Sequence, residues 1–349
     1  MQRYPMRFMR KGATLIELLV VASIMLTLAA VSVPTIKPMM ESQVTSRAAA
    51  TVSTYLERAR SRAMTTGRPC GVTFEYFKGT CVDPTGLSLH PGSASLVLRQ
   101  VETPPYYTGL NVSATVSVYS VPDNAFDNNK RVAWLGDCTD DYWDVILGNE
   151  SSAKIQFNSM GAFYHLRRAN SGRYFIELID GIELPEIRAA SFKVQRDPRA
   201  TMTAPIGLAQ GAVVDLECSG TDNRRFGLGK DVTVMFSPTG EVESVLAGGN
   251  EFKYDDQTIY LLIGRWDRIS ALATPEDESG DSGADDGLWN YEDDLNFWVT
   301  INPHTGLTTT TPLAQSYEYV DLTPSTIYKN AVVGARELAR NSKRNLGGR

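Results

Sequence analysis

An apolar segment near the N-terminus constrains this chain more than any other feature. Residues 13–33 read ATLIELLVVASIMLTLAAVSV, and a helix of that length just crosses the ~30 Å hydrocarbon core of a bilayer at ~1.5 Å per residue. Arg3, Arg7, Arg10 and Lys11 precede the segment without any acidic residue. Because positive residues stay on the cytoplasmic side, the pattern predicts a transmembrane helix with a cytoplasmic N-terminus and an exported remainder.

Glu17 is the one charged residue within this segment. A carboxylate inside a membrane helix is energetically costly and usually marks a functional position. A secretory signal peptide needs no acid in its apolar core and would be cut near residue 30, where the chain offers only a poor site. We therefore interpret Glu17 as functional, with a signal peptide or a simple anchor as the alternative.

Residues 11–21, KGATLIELLVV, resemble the class III signal of type IV prepilins and type II secretion pseudopilins. The resemblance implies that a prepilin peptidase cuts between Gly12 and Ala13 and methylates Ala13. Glu17 is then the fifth residue of the mature chain. Pro34 is the twenty-second, at a position where the family's helices often carry a kinking proline.

The family's assembly model gives these residues their roles. The Glu17 carboxylate meets the N-terminal amine of a neighbouring subunit, so that two costly charges offset each other and select the axial register. Packing among parallel apolar helices supplies most of the cohesion. The partners implied are the prepilin peptidase, other pilins or pseudopilins, and an inner-membrane assembly platform.

A second helical pattern follows from about residue 41 to residue 66, and Gly67-Arg68-Pro69 ends it. Its passage into the segment 72–74 resembles that of the GspH/FimT-like minor branch of the family. The pattern predicts that one side of the helix packs on a sheet. The side chains that recur at three- and four-residue spacing are Val44, Ala48, Thr51, Val52, Tyr55, Leu56, Ala59 and Ala63.

The predicted fold is α+β and pilin-like, with a long N-terminal helix, half of it transmembrane, and an enlarged antiparallel β-sheet head. Its divisions are a leader at 1–12, the helix at 13–66 and a β-rich periplasmic head at 67–323. A C-terminal helix with a basic tail occupies 324–349.

Three segments of the predicted head resemble one another. Residues 155–161, 234–240 and 299–306 each run from β-prone residues into a polar turn that is closed by glycine. Such segments are typical of hairpin turns. The alternative is that they are equivalent exposed loops with a shared role.

Four cysteines, Cys70, Cys81, Cys138 and Cys218, lie outside the apolar segment. In an oxidising compartment they allow two disulfides. We favour Cys70–Cys81, since strand-like residues and a Lys78-Gly79 turn lie between them; reduced cysteines are the alternative. No spacing matches a zinc site.

The acidic stretch 275–287, PEDESGDSGADDG, has the composition of a solvated linker. Calcium binding by its aspartates is the alternative, although the EF-hand pattern is absent. We predict no metal and no cofactor.

The sequence favours a structural subunit of a type II secretion pseudopilus or a type IV pilus over an enzyme. His90, His165 and His304 are far apart in sequence, and no nucleotide-binding or hydrolase motif occurs. The net charge of −6 argues against nucleic acid as a partner. The alternatives are a pilus-borne adhesin, a DNA-binding module and, less favoured, an anchored exported hydrolase.

Overall fold

The computed structural model describes residues 15–77, 81–82, 88–89, 94–119, 126–127, 130–140, 142–147, 153–169, 172–178, 186–209, 211–221, 225–226, 230–247, 250–252, 257–269, 290–314 and 332–340. For residues 29–41, 81–82, 88–89, 126–127, 130–131 and 250–252 only the backbone is described.

Helix α1 (Leu15–Thr66) is 52 residues long. It ends where Gly67 takes up the left-handed conformation, with φ +65°. The Gly67 N–H donates to the Ala63 carbonyl at 3.0 Å, so one of the last unpaired carbonyls of the helix is capped. The helix passes Pro34 without interruption, and a bend at that position stays a prediction. The shorter helices are α2 (Trp143–Leu147) and α3 (residues 332–340).

The rest of the described chain is mainly strand. In chain order the strands are β1 (Cys70–Tyr76), β2 (Cys81–Val82), β3 (Ser88–Leu89), β4 (Ala94–Glu102), β5 (Thr115–Val118), β6 (Phe126–Asp127), β7 (Lys130–Gly136), β8 (Lys154–Phe157), β9 (Met160–Arg168), β10 (Tyr174–Glu177), β11 (Ile187–Gln195), β12 (Arg199–Ala200), β13 (Ile206–Gly207), β14 (Ala212–Thr221), β15 (Val232–Phe236), β16 (Val242–Ala247), β17 (Asn250–Phe252), β18 (Ile259–Arg265), β19 (Phe297–Ile301) and β20 (Thr308–Pro312).

These strands form two large antiparallel sheets. The first has eleven strands, in the order β17-β16-β15-β1-β4-β14-β18-β19-β20, with β12 and β13 also paired to β4. The second has seven, in the order β10-β9-β8-β11-β5-β7-β6, and β10 also pairs with β7. A separate pair, β2 and β3, lies outside both sheets.

Both faces of the first sheet are covered. In β18, Ile259, Leu261 and Ile263 join the core that contains the second half of α1. The alternate residues Tyr260 and Leu262 join a second core, to which α3 contributes Val332, Ala335 and Ala339. Because side chains alternate between the faces of a strand, a strand that is covered on both sides is apolar almost throughout. The first sheet therefore lies between α1 and α3.

The second sheet has a core of its own. Val116, Ile155, Ile176 and Val194 are buried in it, and Trp143 and Leu147 of α2 pack against the same cluster. The Trp143 ring meets the Phe192 ring edge-on at 4.9 Å between centroids, an arrangement that aromatic pairs prefer. The two sheets thus bury separate sets of apolar side chains.

This architecture corrects the predicted fold class. The α+β pilin-like fold, with a single enlarged sheet as its head, is wrong: the described chain is mostly β, in two sheets with separate cores. The resemblance to the type IV prepilin and pseudopilin family, including its GspH/FimT-like branch, is contradicted with it. The physical reason is that a short motif specifies a local segment, whereas strand pairing depends on residues far apart in the chain.

The predicted membrane span is also corrected. In the part of the chain that the structure describes, no helix is both long and apolar enough to cross a membrane. The transmembrane segment at 13–33, the inner-membrane location and the periplasmic head that depended on it are therefore not supported.

Candidate assembly site

The first half of α1 exposes large apolar side chains on all sides. Their exposed fractions run from 50% at Val20 to 84% at Leu15. An amphipathic helix would show a stripe of such residues, whereas one that is apolar all round is normally buried on every side. The ten exposed residues are Leu15, Ile16, Leu18, Leu19, Val20, Val21, Ile24, Met25, Leu26 and Leu28. We call this set the apolar half of α1.

The sequence-predicted site residues lie at or near this apolar half. Glu17 is in the first turn of α1 and is exposed. An acidic side chain there also interacts favourably with the positive end of the helix dipole. Gly12 and Ala13 lie outside the described residues, and of Pro34 only the backbone is described. Cleavage after Gly12 and an assembly role for Glu17 therefore stay predictions.

The second half of α1 lies on the first sheet. Ala48, Val52, Leu56, Ala59 and Ala63 are at most 1% exposed. Small side chains alternate here with larger ones, which lets the helix backbone come close to the strands beneath it. The apolar contacts of this docked half hold the helix to the sheet and stabilise both.

Polar contacts fix the position of the docked half along the sheet. The Thr45 hydroxyl donates to the Leu295 carbonyl at 2.6 Å. The Thr308 hydroxyl of β20 donates to Glu57 at 2.9 Å and lies 2.7 Å from the Ser53 hydroxyl. Hydrogen bonds require a defined geometry, so these contacts set a register that apolar packing alone would leave less specific.

Arg60 links α1 to two glycine turns. Its Nε–H is shared between the carbonyl oxygens of Gly240, at 3.0 Å, and Thr305, at 2.8 Å. These carbonyls belong to the β15–β16 and β19–β20 hairpins, whose turns are joined by a 2.8 Å bond from the Val242 N–H to the Pro303 carbonyl. We call this arrangement the Arg60 clamp.

The clamp explains why glycine is needed in both turns. Gly240 and Gly306 have φ values of +91° and +63°, and a Cβ at Gly306 would lie 2.0 Å from the Gly240 carbonyl oxygen. Two of the three similar segments of the sequence are thus brought together under α1. The third, in the β8–β9 hairpin, turns at Asn158 and Ser159, both with positive φ, and belongs to the second sheet.

The predicted disulfide is not formed among the described residues. Cys70 is a buried free thiol, and its Sγ lies 3.7 Å from the Thr66 hydroxyl. The side chain of Cys81 lies outside the description. Cys70 therefore packs at the junction between α1 and β1.

A buried polar group in β14 combines residue types that also occur in catalytic sites. The fully buried Asp215 accepts the backbone N–H groups of Glu217, at 3.1 Å, and Cys218, at 3.0 Å, and the Asn290 amide at 3.2 Å. Burial raises the pKa of Asp215 to about 6, although these hydrogen bonds act in the opposite direction.

The neighbouring Ser219 hydroxyl is also engaged by the backbone. It donates to the Asp215 carbonyl and accepts the Leu262 N–H at 3.0 Å. The register of β14 against β18 shifts between Asp215 and Gly220, and such a bulge leaves backbone groups without ladder partners. The group satisfies these buried backbone atoms, which is a structural role.

Arg336 completes this face of the sheet. It is 3% exposed, and its guanidinium donates to the carbonyls of Thr221 and, at 2.6 Å, Cys218. Its charge lies over the rings of Tyr260 and Trp298, 5.7 and 5.9 Å from their centroids. The apolar composition around position 336 predicts a docked helix, but nothing in the sequence indicates that an arginine is its buried anchor.

No metal centre is found in the described part of the chain, where no group of three or more His, Cys, Asp or Glu side chains is placed to hold an ion. The acidic stretch 275–287, for which calcium was the alternative, lies outside that part.

No protein-family model matches the chain, and no characterised protein or solved structure is significantly similar to it. The functional argument therefore depends on the apolar half of α1 and on the way its docked half is held.

Proposed function

We propose that this chain is a structural subunit of a filament, a pilus or a secretion pseudopilus, and that it is not an enzyme. The observation that carries the proposal is the apolar half of α1, where ten large apolar side chains are at least 50% exposed. An exposed apolar surface of this kind marks an interaction site, because its burial is strongly favourable.

The distribution of these side chains favours several helices as the partners. A groove on one protein would cover a stripe of the helix and leave the remaining sides in water. Helices from neighbouring subunits, packed around one another, cover all sides at once. Repetition of that packing along an axis produces a filament.

Glu17 supplies specificity within such a packing. Surrounded by apolar helices, its carboxylate requires a cationic partner. The proposed partner is the N-terminal amine that cleavage after Gly12 creates on a neighbouring subunit. A pair of this kind fixes the axial position of one helix against the next, which apolar contacts alone do poorly. The further proposed partners are the processing peptidase and an assembly platform.

The docked half of α1 supports the proposal mechanically. Forces on the apolar half pass through one continuous helix into the first sheet. There the Arg60 clamp, the Thr45 hydrogen bond and the Ser53, Glu57 and Thr308 contacts resist sliding of the helix. The head would thus be carried rigidly by the filament.

Assembly is tested with one substitution in the apolar half and one matched control. Leu19→Glu is expected to abolish filaments seen by electron microscopy, since it places a charge among the packed helices. Met202→Glu makes the same kind of change at a fully exposed residue of the head and should leave them unchanged. Equal assembly of both variants would contradict the proposal.

Processing is tested by N-terminal sequencing of the chain expressed with and without a prepilin peptidase. A peptidase-dependent start at Ala13 is expected. A start near residue 30, or an uncut chain, would contradict the processing step.

A further inference from the structure

The outer face of the second sheet carries two stacked aromatic rings and a lysine. The rings of Tyr106 and Phe163 lie 5.8 Å apart between centroids and are inclined by 21°. The Lys193 ammonium lies 4.0 Å from the Tyr106 ring centroid. We call these three side chains the aromatic platform.

Strand alternation places the platform on the side of the sheet away from its core. Phe192 and Val194 of β11 are buried in the core of the second sheet, as is Leu166 of β9. Lys193 and Phe163, at odd spacing from those residues, therefore point to the other face. The bridge between Tyr107 and Val194 brings the preceding Tyr106 to the same place.

The platform is accessible and pre-organised. Tyr106 is 47% exposed, and Phe163 and Lys193 are partly exposed. The cation–π contact with Lys193 and the stacking on Phe163 limit rotation of the ring. Gln156 lies opposite Lys193 on β8, and its amide is held by the Gly161 carbonyl at 2.7 Å. A flat ligand would meet a surface that is already ordered.

We propose that the aromatic platform binds an acidic polysaccharide, with sugar rings stacked on Tyr106 and Phe163 and a carboxylate paired with Lys193. The apolar face of a pyranose ring packs on an aromatic ring. Two neighbouring, nearly parallel rings offer places for successive sugars of an extended polymer. The Lys193 ammonium keeps N–H donors for a carboxylate beside the ring.

The net charge of the protein favours an acidic polysaccharide over a nucleic acid as the ligand of the platform. A phosphate backbone carries a charge on every nucleotide and is bound through many lysine and arginine contacts. The chain has a net charge of −6, and Lys193 is the cation that contacts the Tyr106 ring. An acidic polysaccharide carries separate carboxylates among many hydroxyl groups. Such a polymer fits a site of one lysine and two aromatic rings better than a phosphate backbone does. This inference is independent of filament assembly and adds surface binding to a structural subunit.

The test is binding of the full-length chain to alginate oligosaccharides, measured by isothermal titration calorimetry. Tyr106→Ala should weaken binding at least about tenfold, by loss of stacking and cation–π contacts, whereas Tyr106→Phe should retain it. Lys193→Gln should weaken binding and remove most of its salt dependence. The matched control is Tyr142→Ala, since Tyr142 is 54% exposed outside the platform.

Comparison with other ligands shows which chemical groups the platform recognises. Methyl-esterified alginate, which lacks the charge, should bind at least several-fold more weakly than alginate. The proposal is overturned if alginate does not bind, if Tyr142→Ala weakens binding as much as Tyr106→Ala, or if the ester binds equally well. It is also overturned if a single-stranded oligothymidylate binds more tightly than alginate at the same ionic strength.

Discussion

The two halves of helix α1 are continuous in structure and opposite in environment. Residues 15–28 expose nearly every large side chain, whereas Leu56 and Ala63 in the docked half are fully buried. The docked half makes hydrogen bonds to carbonyls and hydroxyls of the first sheet at several points. In the apolar half, the Thr27 hydroxyl donates to the Ile24 carbonyl of the same helix at 2.8 Å.

The difference shows that one half of a helix can stabilise the fold of the chain while the other half is available to stabilise an assembly of chains. The docked half contributes to the folding of this chain, because its apolar side chains leave water only on packing against the sheet. The apolar half can gain the same free energy only from other molecules. Substitutions in the two halves should therefore separate folding from assembly.

The largest expected effect separates the two halves directly. Leu56→Ala should lower the free energy of unfolding by about 2–5 kcal/mol, since it opens a cavity beneath the docked half. Leu19→Ala makes the same change at a residue that is 61% exposed. It should alter the free energy of unfolding by less than about 0.5 kcal/mol. Urea unfolding of the two variants measures both free energies. Equal losses would contradict the claim that only the docked half contributes to folding.

A change of pH should lower the stability of the first sheet through Asp215, without any substitution in α1. The pKa of Asp215 is about 6 in the folded chain and about 3.9 when unfolded. Between these values the unfolded state loses the proton first, so stability should fall as pH rises from about 4 to about 6. The loss should reach about 2–3 kcal/mol. Asp215→Asn should remove this component from the stability–pH curve; an unchanged curve would show that Asp215 does not cause it.

The Arg60 clamp can be tested through its glycines. Gly306→Ala should destabilise the protein by about 1–3 kcal/mol more than Gly161→Ala does. Both residues have positive φ, so the backbone strain is similar, but only at Gly306 would a Cβ collide with another backbone. Thermal unfolding of the pair measures the difference. Equal effects would show that close approach of the two turns is not required.

The smallest effect concerns the arginine itself. Arg60→Met keeps most of the side-chain length but leaves two carbonyls without their donor, and we expect a loss of about 1–2 kcal/mol. Arg58→Met alters an exposed residue of the same helix and should change stability by less than about 0.5 kcal/mol. Chemical denaturation distinguishes them, and a neutral Arg60→Met would mean that apolar packing alone positions α1.

Much of the local structure could be predicted from the sequence. The spacing of Ala48, Val52, Leu56 and Ala59 identifies the buried side of the docked half, because helical periodicity is a local property. Glycine turns at 240 and 306 are likewise visible, since their residue types are restricted by backbone conformation. That Cys70 is a free thiol could not be predicted, because sequence spacing does not determine the distance between two side chains.

The division of the strands into two sheets could not be predicted. The β14 strand pairs with β18 and β4, which lie dozens of residues or more away in the chain. Arg60 and Arg336 have the sequence context of surface arginines, and only the approach of distant carbonyls makes them a clamp and a buried anchor. The Tyr106–Phe163 contact likewise depends on how β11, β8 and β9 are arranged.

The sequence by itself determined the two helix-forming stretches, the apolar character of the first and the position of Glu17, since these depend on residue type and short-range spacing. Only the tertiary structure decided that there are two sheets, that two glycine turns meet under Arg60, and that Tyr106 and Phe163 form one surface. The physical reason is range: periodicity and backbone preference act within a few residues, whereas pairing and packing are settled by competition among contacts across the whole chain.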